Sequence, residues 1–123
     1  MPFGNVSHHE IAYQIVDGAE EFDSELLIDC RHMRRTGIPI PEVAKVPRQL
    51  LVSVELDDGD VDVKGTLLED AIHRRRFCGE ASFDFSHFIK TFQEIGFDSF
   101  YSIEVMSHEL CALVSARRRA LRL

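Results

Sequence analysis

Three apolar runs too short to be helices limit what this chain can fold into. They are Glu25-Leu26-Leu27-Ile28-Asp29-Cys30, Leu50-Leu51-Val52-Ser53-Val54-Glu55-Leu56 and Phe100-Tyr101-Ser102-Ile103-Glu104-Val105. None alternates cleanly between apolar and polar residues. Continuous runs of this length suit strands buried on both faces, as in a parallel sheet covered by helices.

The segments between them supply the crossovers. Ser7-His8-His9-Glu10 has the S-x-x-E spacing of a capping box and predicts a helix from about residue 8. Ile11, Ala12, Ile15, Val16 and Ala19 give it one apolar stripe, Gly18 weakens its end, and His8 and His9 are expected in solvent. Residues 40–46 can form about two helical turns, with Pro41 near the start and Pro47 after the end. A stronger helix is expected over 85–95, with Asp84 as N-cap, Phe85, Phe88, Ile89, Phe92 and Ile95 as its stripe, and Gly96 as its stop. A last helix follows Ser107 and turns Leu110, Leu113 and Val114 inward. The order α-β-α-β-loop-α-β-α predicts right-handed parallel βα units in an α/β fold. No linker divides the 123 residues, so 1–123 reads as a single domain. The stretch from Asp57 to Ser82 reads as irregular, and loops of that length are usually functional or mobile.

Composition removes several function classes. A net charge of −7 argues against general affinity for a nucleic acid backbone. Two arginine runs stand against that charge, at 74–76 and 117–119; the second suits the negative end of the C-terminal helix. No apolar run approaches the ~20 residues of a membrane span, and the N-terminus lacks the basic and apolar regions of a secretory signal. Cys30, Cys78 and Cys111 are odd in number and share no CxxC spacing, as expected of reduced thiols in the cytoplasm.

Parallel α/β proteins bind ligands beyond the carboxyl ends of their strands. Asp29, Glu55 and Glu104 occupy that edge. Three acids on one rim repel one another, and a divalent cation is the simplest compensation; capping a helix or pairing with an arginine is the plainer role for any one of them. The Asp29-x-x-His32 spacing puts an imidazole at the same rim. Asp58-x-Asp60-x-Asp62 with Glu69 mimics an EF-hand loop, but Val63 stands where the turn requires glycine, so a solvated acidic loop explains it better. Cys30 beside Asp29 is a poor nucleophile, because the carboxylate raises the thiol pKa. Nucleophile elbows and glycine-rich phosphate loops are absent from the sequence.

Together these segments resemble a family. Residues 26–37, Leu-Leu-Ile-Asp-Cys-Arg-His-Met-Arg-Arg-Thr-Gly, resemble the DxxHxxRxG segment of the sugar phosphate isomerases/epimerases, the xylose-isomerase-like TIM barrels. Residues 52–58 resemble the next strand, 75–80 the RxxPGxG loop followed by Phe83-Asp84-Phe85, and 95–105 the xGYDGxxSVE ending. The resemblance implies a partial (β/α)8 TIM barrel with about three parallel strands, and a divalent metal (Mn2+, Mg2+, Co2+ or Zn2+) held by Asp29, Glu55 and Glu104. It makes Glu104 also an acid/base catalyst beside the substrate carbonyl, and gives His32 and the loop arginines Arg75 and Arg76 contacts with a small sugar or polyol. Glu55 stands where the family has histidine, Cys78 replaces a proline and Ala81 a glycine. The family's first metal-binding glutamate ends a strand just before a segment resembling residues 1–6, so it is absent here. About half of a barrel of roughly 250 residues is expected. The reading is a fragment of a metal-dependent sugar (phosphate) isomerase/epimerase, incomplete on its own, that self-associates or pairs with an N-terminal half. The alternative is a non-catalytic α/β module that binds a partner chain or itself through open sheet edges.

Overall fold

The computed structural model describes residues 4–19 and 24–113. Its centre is a three-stranded parallel sheet, ordered β1 (Leu26–Asp29), β2 (Leu51–Leu56), β3 (Phe100–Ile103). Each strand falls within its expected apolar run, and the third stops before Glu104. Leu26, Ile28, Leu51, Val54 and Leu56 are buried, as runs without polar alternation require. β3 is the exception: all four residues are exposed.

Helix α1 (His9–Asp17) precedes β1. It begins one residue later than expected, and its N-cap, His8, makes no side-chain capping bond; the Ser7 capping box does not form. The His9 side chain is buried between Glu10 and Glu42, not in solvent. β1 leads directly into α2 (Cys30–Thr36), a helix the apolar pattern does not reveal. Residues 40–46 form a 3-10 helix, Ile40–Lys45, not two α-turns. Within the stretch expected to be irregular lies α3 (Leu67–His73). Then α4 (Phe85–Glu94) buries Phe88 and Phe92 on the sheet, capped by Asp84, whose carboxylate accepts the His87 N–H at 3.0 Å. Phe92 packs edge-on against Phe97 and Tyr101, which ties α4 to β3.

Residues 108–113 are helical, but Leu113 is 68% exposed rather than turned inward; Val114 and the arginines at 117–119 lie outside the described residues. Among the described residues no helix is long and apolar enough to cross a membrane.

Candidate metal centre

Register brings the acids together. Asp29 pairs with Glu55, Glu55 pairs with Ser102, and Glu104 lies two residues beyond Ser102, on the same face by strand alternation. One carboxylate oxygen from each of Asp29, Glu55 and Glu104 lies within 4.8 Å of the others. Asp29 is 4% exposed, and the other two are half-buried.

The two oxygens of Asp29 have different tasks. Oδ1 accepts the backbone N–H groups of Arg31 (2.7 Å) and His32 (3.1 Å), which makes Asp29 the N-cap of α2. Oδ2 faces the cluster, 3.5 Å from His32 Nε2 and 3.3 Å from Arg75 Nη1. The DxxHxxRxG pattern is thus one capped helix: Asp29 starts it, His32 faces the rim, Arg35 pairs with buried Asp70, and Gly37 ends it at φ 70°. Burial pulls the His32 pKa below its ordinary value in spite of Asp29, so the imidazole is neutral at pH 7. Partial burial, then Glu104 and Asp29, push the Glu55 carboxyl upward.

The arginine run divides. Arg75 is 3% exposed, and its Nη1 lies 2.6 Å from Glu104, 3.1 Å from Asp57 and 3.3 Å from Asp29. Burial works against its charge, but Asp57, Asp29 and Glu104 outweigh this and hold its pKa above the usual value. Arg76 instead points outward, 3.8 Å from Asp60, and does not join the acids. The backbone fixes this arrangement: Asp58 and Arg76 bridge in antiparallel fashion, as do Arg74 and Ser107.

Several residues in and around the site carry no strong sequence signal. Asp57 is buried, and its carboxyl is pushed up to about 7 by burial, which Arg75 and Arg31 only partly offset. Cys30 Sγ donates to the Asp57 carbonyl at 3.1 Å, and burial drives its thiol pKa far up, so it is no nucleophile. Asp58, expected in a solvated loop, is fully buried. Its carboxylate accepts N–H groups from Gly59, Gly79, Ala81 and Phe83, which folds the 77–83 loop around it. Glu69 closes a capping box with Thr66 at the start of α3 and has no part in a calcium loop.

An oxygen-only set of three carboxylates suits a hard six-coordinate ion such as Mg2+ or Mn2+ better than a nitrogen- and sulfur-preferring one. The spread of the ligand atoms is small enough for side-chain rotation to close, so the residues fit a divalent ion. Arg75 already lies on two of the three.

No family model matches the chain, and no curated protein matches it. Among solved structures, the 1.8 Å crystal structure of the IOLI protein with a binding zinc atom matches with a TM-score of 0.69 and 25% identity. The match covers 81% of this chain and 35% of that one, so this chain spans about a third of its relative's length. Three parallel strands with flanking helices are part of a TIM-barrel architecture.

Proposed function

We propose that this chain carries the metal-binding rim of a sugar or sugar-phosphate isomerase/epimerase of the xylose-isomerase-like type. The observation behind the reading is the convergence of Asp29, Glu55 and Glu104 at the carboxyl edge of a parallel sheet. Its likeness to part of a protein whose structure holds zinc supports it. Asp29 Oδ2, Glu55 and Glu104 would hold the ion. A bound divalent ion supplies Lewis-acid polarisation of a substrate carbonyl or hydroxyl oxygen. Glu104, half-exposed at the rim, moves a proton at the carbon beside that carbonyl. Neutral His32 accepts or donates one hydrogen bond to a substrate hydroxyl. Turnover needs a second acid/base group besides Glu104; because the chain spans about a third of its solved relative's length, activity is proposed for it as part of a whole barrel.

Calorimetric titration with Mn2+ tests the reading. One ion per chain is expected at up to millimolar concentration, and its loss in Asp29→Asn. Asparagine keeps the N-cap acceptor, so that variant separates ligation from helix capping. Absence of binding in the natural chain would overturn the metal centre.

A second reading rests on β3, where Phe100 is 78% and Ile103 61% exposed. Such an edge suits strand addition by a partner chain, with no chemistry at the rim.

A further inference from the structure

We propose that Arg75 is the resident cation of the carboxylate cluster, and that a divalent ion enters only by displacing it. This deepens the metal-centre reading and rests on it.

The geometry makes the competition direct. Nη1 of Arg75 is shared by Asp29 Oδ2, Asp57 Oδ2 and Glu104 Oε2 at 3.3, 3.1 and 2.6 Å. Two of those oxygens belong to the candidate ligands. Asp29 has no alternative to offer, because its Oδ1 is committed to the α2 cap. An ion bound to Asp29 Oδ2 and Glu104 Oε2 at about 2.1 Å would lie within about 5 Å of Arg75 Nη1, and two cations at that spacing repel.

The placement is built into the fold. Arg75 Nε donates to the Ala71 carbonyl of α3 at 2.9 Å, and its backbone N–H donates to Met106 at 3.2 Å. Nη1 also donates to the Glu104 carbonyl at 3.2 Å. A guanidinium stays charged at any physiological pH, so deprotonation cannot release it. Space to leave exists: Arg75 also lines a cleft of about 640 Å³, with Asp60 and Glu80 among its walls.

Arg75 therefore holds the acids together without metal and lowers the affinity of the site for it. The test follows Mn2+ binding by the spin-resonance signal of the free ion, in the natural chain, in Arg75→Met, which keeps most of the apolar stem, and in Arg75→Lys. Arg75→Met should bind Mn2+ about tenfold more tightly, or better, which corresponds to 1.4 kcal/mol. It should also melt lower than the natural chain without metal and recover when Mn2+ is added. In the natural chain, Mg2+ should shift the nitrogen resonance of the Arg75 Nε–H, as its bond to Ala71 breaks.

Equal or weaker binding by Arg75→Met, beside measurable binding by the natural chain, overturns the displacement and leaves the metal centre standing. No binding by the natural chain at millimolar Mn2+ overturns both. If Arg75→Met does not fold, Arg75→Lys decides. Lysine keeps the charge but loses the Ala71 bond and the forked reach, so it too should bind more tightly than the natural chain; unchanged affinity would overturn the proposal.

Discussion

Asp57 is under opposed electrostatic demands. Next to it, Asp29, Asp58 and Asp70 are buried together with Arg31 and Arg75, and the Arg35 side chain closes on Asp70. Asp57 shares Arg75 with Asp29 and Glu104, so that guanidinium does not offset its charge alone. Its folded pKa of about 7 against an ordinary 3.8 follows from burial that the two arginines do not fully repay. Between those values the folded chain binds more protons than the unfolded one, so stability falls as pH rises from about 4 to about 7. Asp60, Asp98 and Glu69 have lowered pKa values and act in the opposite sense as pH rises. The comparison must therefore be a difference: melting temperature against pH in the natural chain and in Asp57→Asn. The natural chain should lose ground relative to the variant across that window, and parallel curves would show that Asp57 is ionised throughout. None of this was legible in the sequence. Asp57-Asp58 reads as the start of an acidic loop, because nothing local reveals that four backbone N–H groups from residues 59–83 converge on Asp58. The convergence of Asp29, Glu55 and Glu104 was legible, since the strands of a parallel sheet bring their carboxyl ends to one edge.

Among the elements, apolar runs located all three strands, and periodicity located α4, because these features survive in the linear pattern. The two seven-residue helices α2 and α3 were not found, since neither is long enough to show a full stripe. Their caps were the available signal. Asp29 and Gly37 bracket α2, and Thr66-x-x-Glu69 opens α3, whereas the similar Ser7-x-x-Glu10 spacing forms no box. Spacing of this kind is thus informative only where the chain around it is held, as α3 is by two arginines on Asp70. The α3 cap has consequences for the site, because α3 carries Ala71, the anchor of Arg75, as well as Asp70. Thr66→Ala removes the hydroxyl that accepts the Glu69 N–H at 3.2 Å. It should cost about 1 kcal/mol in urea unfolding, with most of that recovered in Thr66→Ser. Faster amide exchange confined to residues 67–75 should accompany it. An unchanged unfolding midpoint would mean that the arginine pairs alone hold the helix.

On the scale of the whole molecule, three parallel strands leave a barrel open. Among the described residues β1 and β3 each pair only with β2, so two strand edges carry unpaired backbone groups. The edges are not equivalent. β1 is apolar and largely buried, and α1 packs Ala12, Tyr13 and Val16 against the core beside it. β3 exposes every residue, with Phe100 and Ile103 the most open, and Tyr101 packs edge-on against Phe92 and Phe97. An apolar edge without lysine, proline or a bulge lacks the devices that keep sheet edges apart. Association should therefore run through β3, either between copies of this chain or with a segment that supplies the adjoining strand. For the isolated chain of 14.1 kDa, light scattering after size exclusion should give a mass of at least two chains at tens of micromolar, with or without Mn2+. Phe100→Lys places a charge on that edge and should shift the mass toward a single chain while leaving the core intact, because Phe100 contributes to no buried cluster. A single-chain mass for the natural protein would show that the exposed strand is tolerated as it stands. An oligomer indifferent to Phe100→Lys would move the interface elsewhere, with the β1 edge as the remaining open site. Independence from metal matters here as much as the mass: Phe100 opens β3 and Glu104 follows its last residue, so ligation and assembly should respond to different substitutions.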